Sequence, residues 1–109
     1  MTALLIANLV AAVASVGFAL IGAFRPAALN PTDDRFYGWM YATRGVPLGV
    51  AAGLAPYFGS GPVTALLLFA AAAAQLGDAV IGVAYRKWTM IAGATLLAVI
   101  HIAMAFATL

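Results

Sequence analysis

Residues 64–85 read TALLLFAAAAAQLGDAVIGVAY, an apolar run of 22 residues with one carboxylate inside it. Roughly 20 apolar residues in a helix cross the hydrocarbon core of a bilayer, so this run is long enough to span. Asp78 is costly in that setting: an acidic side chain within a span faces the bundle interior and takes a partner. The sequence offers Arg44, which lies inside a second apolar segment at a similar distance from its end.

The composition agrees with a membrane reading. The chain has 109 residues, of which 66% are hydrophobic and 7% charged, and its mean hydropathy is +1.09. Too little polar surface remains for a water-soluble domain of this size, so one integral membrane domain over residues 1–109 is expected, with the lipid bilayer as its first partner. The chain contains no cysteine, which excludes thiol redox chemistry, disulfides and thiolate metal sites. One histidine and three carboxylates are a poor donor set for a metal, so no metal and no cofactor are expected. A net charge of +2 is too small and too scattered for a nucleic-acid partner. The opening MTALLIANLV has no basic leader and reads as a retained first span.

Four spans fit: about 2–24, 31–55, 63–85 and 88–108. Arg25-Pro26 breaks the first, because proline cannot continue the helical ladder and restricts the residue before it. In ALNPTDDRF, Asn30 suits a cap, Pro31 the first helical position, and Asp33 and Asp34 the positive end of the helix dipole. PYFGSGP (residues 56–62) reads as a tight turn, and Arg86-Lys87 as a very short one. Short loops give an all-α, up-down-up-down bundle of four transmembrane helices with both termini on the same side. Arg25, Arg35, Arg86 and Lys87 fall at one boundary, so loops 25–35 and 86–87 are expected in the cytoplasm and the termini outside, in a bacterial cytoplasmic membrane. Tyr37, Trp39, Tyr85 and Trp88 would form an aromatic belt at that boundary.

Helices in lipid approach through small residues. The first span aligns Asn8, Ala12, Ser15, Ala19 and Gly22 at helical spacing. The third aligns Ala71, Ala74, Gln75, Asp78 and Gly82, and the fourth Ala94, Ala98, His101, Ala105 and Thr108. The second carries Gly45, Gly49 and Gly53 at four-residue steps, a repeated GxxxG pattern that suits packing within the bundle or contact with another subunit. Pro47 cannot donate to the Thr43 carbonyl, which predicts a kink beside Arg44.

Helical rise places Arg44 and Asp78 on the order of 10 Å in from the charged boundary. Tyr41 and Thr95 lie near them, Gln75 and Ser15 at roughly 15 Å, and Asn8 and His101 at roughly 20 Å. The polar side chains therefore form a ladder through the bundle.

Four spans in this length, YATRGVPLGV in the second and QLGDAVIG in the third, resemble the small DoxX-like membrane proteins, most closely the uncharacterised DUF4267 type. That resemblance covers nearly the whole chain. It implies a four-helix membrane bundle with Arg44, Gly45 and Asp78 as key positions. Small multidrug exporters share the length, but their glutamate in the first span has no counterpart here.

Three functions suit these residues. In the first, the protein binds an apolar small molecule or acts on it by isomerisation, cyclisation or epoxide opening. Asp78 is then the acid or base, Arg44 orients it or holds an oxyanion, His101 assists as a third catalytic candidate, and Gln75, Tyr41, Asn8 and Ser15 line the site. In the second, the Arg44–Asp78 pair only locks the bundle of a structural or accessory subunit. Gly45, Gly49 and Gly53 then dock a second copy or a membrane partner. In the third, the polar ladder relays protons in a small transporter.

Overall fold

A computed structural model describes residues 2–24 and 35–109, with side chains from residue 38 onward in the second segment. The expectations placed on Arg25, Pro26, Asn30, Pro31, Asp33 and Asp34, and on the side chains of Arg35 and Tyr37, lie outside the described residues. Four helices fill the rest: α1 (Thr2–Phe24), α2 (Arg35–Phe58), α3 (Pro62–Ala84) and α4 (Trp88–Thr108). The principal extents are 41 × 22 × 20 Å, and the longest is enough to pass a hydrocarbon core of about 30 Å.

The helices form a ring. α1 packs most closely on α2 and α3 on α4, while α2–α3 and α1–α4 complete the circuit. Neighbours run antiparallel: the amide of Gly61, just before α3, donates to the carbonyl of Thr108 at the end of α4 at 2.5 Å. Leu4 and Leu5 at the start of α1 pack against a core cluster of Ala52, Ala65, Leu68, Ala71, Met104 and Ala105.

The interior is built mainly of alanine. Ala11, Ala12, Ala19, Ala52, Ala71, Ala98 and Ala105 are buried, with Leu68, Leu97 and Met104 as the bulky exceptions. Large apolar side chains point outward instead, among them Ile6, Val13, Leu66, Val80, Val99 and Phe106. Asn8, Ser15, Asp78 and His101 are inside. Small and polar inside with bulky and apolar outside is the arrangement that lipid favours, since close backbone approach replaces the hydrophobic drive of water. α1, α3 and α4 are long and apolar enough to cross a membrane, consistent with an integral membrane protein. α2 has the length but falls short in apolarity, because Arg44, two prolines and several tyrosines share its 24 residues.

The expected stripes of α1 and α4 are buried throughout, while that of α3 is buried at Ala71, Asp78 and Gly82 and half-buried at Ala74 and Gln75. Asn8, Ala12, Ser15, Ala19 and Gly22 of α1 are all buried, as are Ala94, Ala98, His101, Ala105 and Thr108 of α4. The glycines of α2 face α1. A Cβ on Gly45 would lie 2.9 Å from Ala19 Cβ, one on Gly49 2.7 Å from Val16 Cγ2, and one on Gly53 2.7 Å from Ala12 Cβ. The stripe is therefore spent on packing within the bundle. Ala12 Cβ is fixed to its own backbone and cannot swing aside, so Gly53→Ala must push α1 and α2 apart. A loss of about 1–3 kcal/mol is expected, the usual cost of overpacking. Reversible unfolding in detergent would measure it, and an unchanged stability would mean that the two helices already sit further apart.

One boundary differs from the sequence reading. α2 does not stop at Ala55 but runs through Pro56 to Phe58, leaving only Gly59, Ser60 and Gly61 as the turn. Proline at this position removes the bond that residue 56 would give to the Ala52 carbonyl. The helix tolerates the loss because a side chain from α1 replaces it, as described below. α2 runs as one helix through Pro47. The α3–α4 turn is a Schellman closure. Lys87 N donates to Gly82 O at 2.8 Å and Arg86 N to Val83 O at 3.2 Å, with Arg86 in the left-handed region at φ 55°. This closure sets α4 off directly from Lys87. Trp39, Tyr85 and Trp88 are exposed, and Trp39 meets Phe24 edge-on with ring centroids 5.6 Å apart.

Candidate functional site

Polar side chains from all four helices meet in three layers. In the first, Arg44 of α2 gives its Nη2–H to Asp78 Oδ1 of α3 at 2.8 Å. Arg44 Nη1 reaches the Ala74 carbonyl at a long 3.4 Å, and its Cζ lies 5.6 Å from the centre of the Tyr41 ring one turn earlier, within cation–π range. The pair is asymmetric. The side chain of Asp78 is 10% exposed and that of Arg44 is 42% exposed, so the guanidinium stands at the outer edge of the α2–α3 seam.

The second layer crosses the ring. Gln75, one turn before Asp78 on α3, donates Nε2–H to Ser15 Oγ of α1 at 2.9 Å. The serine hydroxyl passes its own proton to the Ala11 carbonyl at 3.0 Å, so both groups are used in one direction.

The third layer is the most deeply buried. Asn8 is 1% and His101 0% exposed. Asn8 Nδ2 donates to the Ala52 carbonyl of α2 at 2.8 Å. This is the carbonyl that Pro56 leaves without a helical donor. Asn8 Oδ1 lies 2.8 Å from His101 Nδ1 of α4.

A cavity lies among these layers. Its walls include Ser15, Tyr41, Arg44, Gln75, Asp78 and His101, and it leaves about 20 Å³ for the centres of water-sized molecules. That is room for about one water and too little for an organic ligand. Further along the same seam, a groove of about 380 Å³ opens outward between α2 and α3, walled by Val50, Leu54, Phe58, Val63, Thr64 and Leu67. The seam thus has a polar end at Arg44–Asp78 and an apolar end at Leu54–Phe58.

The structure brings Arg44, Asp78, Gln75, Tyr41, Ser15 and His101 to one cavity, with Asn8 behind His101. Thr95, at the same height as the ion pair in the sequence, is exposed and does not join them. Gly45 and Gly49 form part of the wall, so the packing residues also shape the site. Among the described residues no group of three His, Asp or Glu side chains converges as a metal set would. The sequence reading missed Pro56 and the Ala52 carbonyl, having placed Pro56 in a turn. The available signal was an asparagine on the buried stripe of α1, at about the depth where a proline frees an acceptor on α2.

Compared with known proteins, the chain matches no family model, no curated protein and no solved structure.

Proposed function

We propose that this chain is an integral membrane protein whose four helices all cross the bilayer and whose Arg44–Asp78 pair serves an apolar small molecule entering from the lipid side. Asp78 acts as acid or base, Arg44 orients it or holds a developing oxyanion, and isomerisation, cyclisation or epoxide opening are the reaction classes that need no more than this. One observation carries the reading: an ion pair at the polar end of the α2–α3 seam is 42% exposed on its arginine side, and an apolar groove follows along the same seam. A pair serving only as a lock has no need of that opening. His101 and Gln75 support Asp78 from the interior, and Tyr41 flanks Arg44.

α2 crosses with its neighbours although it is less apolar, because its charge is neutralised by Asp78 and its glycine face is covered by α1. Loops 25–35 and 86–87 are placed in the cytoplasm of a bacterial cell, on the positive-inside rule. The DoxX-like, DUF4267-type resemblance is part of the same proposal.

A second reading has its own support: the interior cavity admits about one water, so the pair could serve solely to hold α2 on α3 in an accessory or oligomeric subunit.

Native mass spectrometry of protein released gently from its own membrane separates the two. The wild type is compared with a double variant, Arg44→Leu with Asp78→Leu, that removes the pair without stranding a charge. A hydrophobic molecule bound to the wild type and lost from the folded double variant supports the ligand site. If a folded wild type carries no such molecule, or the double variant retains it, the site reading fails and the locking role stands.

A further inference from the structure

The orientation of the Asn8 amide is not free. The Ala52 carbonyl can only accept, so it must face the Asn8 NH₂ group, and the measured contact is Nδ2 to carbonyl at 2.8 Å. Oδ1 then faces His101 Nδ1 at 2.8 Å, and an amide oxygen can only accept. The imidazole must therefore carry its proton on Nδ1. In the neutral ring this leaves Nε2, on the opposite edge, as a bare lone pair.

Among the described residues, His101 Nε2 is the buried side-chain atom left with no hydrogen-bond partner. The residue is 0% exposed, and a buried acceptor without a donor is costly. Yet His101 lines the cavity shared by Ser15, Gln75 and Asp78, which leaves about 20 Å³ for the centres of water-sized molecules. Asn8, which takes Nδ1, is not among the residues that wall the cavity, and Nε2 is the ring nitrogen left free for it. A polar cavity with room for one water and several polar neighbours satisfies the conditions for an internal water.

We infer that His101 is held as its Nδ1–H tautomer by the chain Pro56–Ala52 carbonyl–Asn8, and that its Nε2 lone pair binds one water in the central cavity. Pro56 is a positioning residue here: by removing an amide it fixes the face of Asn8, and Asn8 fixes the ring. The water links the deep histidine layer to the Gln75 and Asp78 layers. In the neutral ring, the bundle interior thereby holds a bare ring nitrogen beside the cavity that Gln75 and Asp78 also line. The inference does not depend on any turnover at Asp78.

The chain has a single histidine, so ¹⁵N-histidine labelling reports on this ring alone. Solid-state NMR of the protein in phosphatidylcholine bilayers at neutral pH reads the tautomer directly. The Nδ1–H form is expected in about ten-fold or greater excess, given the penalty for an unpaired amide oxygen or carbonyl in the alternative. Magnetisation transfer from water protons to Nε2 is expected as well. An Nε2–H form, or a bare Nε2 with no transfer from water, would overturn the proposal. In Pro56→Ala the Ala52 carbonyl regains a helical donor, so turning Asn8 no longer strands that carbonyl and the tautomer ratio should fall, though not to unity, because the amide oxygen would still meet another acceptor. A ratio unmoved in that variant, with the fold intact by circular dichroism, would remove the positioning role assigned to Pro56.

Discussion

Asn8→Leu is expected to destabilise the bundle by about 2–3 kcal/mol. The asparagine satisfies two buried groups at once, the Ala52 carbonyl and His101 Nδ1, each at 2.8 Å. Stranding each such group costs about 1–3 kcal/mol in proteins generally. Interhelical bonds in lipid measure lower, around 0.6–2 kcal/mol, because a loosened span finds other partners there. The sum therefore falls at the lower end of the range. A partial rescue is expected when Pro56→Ala is added, since the amide restored at that position would donate to the Ala52 carbonyl through the helix itself. Unfolding equilibria of the two single variants and the double variant, measured in mixed micelles, give the coupling directly. Strict additivity would show that the proline and the asparagine are not linked.

Asp78→Asn should cost about 3 kcal/mol, at the low end for breaking a buried pair. It leaves Arg44 charged, because a guanidinium does not release its proton in proteins. The arginine is not fully enclosed, being 42% exposed, and its long stem lets the charge move toward the membrane boundary, which limits the loss. Replacing both partners with leucine should come within about 1 kcal/mol of the wild type or exceed it, since no charge is then buried. The same unfolding assay tests both statements. A double variant as unstable as Asp78→Asn would show that the shape of the pair, rather than its charge, holds α2 on α3.

The helices and their buried faces were legible because two simple signals agreed. Apolar runs of span length marked the elements, and small or polar residues at helical spacing marked the inner stripes. Asp78 and Arg44 were findable for the same reason: charge is rare in a span and seeks charge. The layering of Gln75 with Ser15 and of Asn8 with His101 followed from counting helical rise. The end of α2 was not legible. Pro56 beside Gly59 and Gly61 has the composition of a turn, and only a donor from another helix lets the chain remain helical there. Local rules cannot see such a donor. The use of the glycine stripe was equally closed to sequence, since a face of three glycines fits a neighbour in the same bundle as well as one in another subunit. Contact with Ala12, Val16 and Ala19 decides it.

The three layers join different pairs of helices: α2 to α3 by Arg44–Asp78, α3 to α1 by Gln75–Ser15, and α1 to both α4 and α2 by Asn8. Alanine surfaces alone would let helices slide, because one methyl looks much like the next along the axis. A slip of one turn, about 5.4 Å, would break every rung on the helix that moved. The α3–α4 pair has no such rung, but its turn is closed tightly at one end and Gly61 is tied to Thr108 at the other. So few polar groups in so apolar a chain therefore act as a vernier: they fix the axial register of four nearly featureless rods.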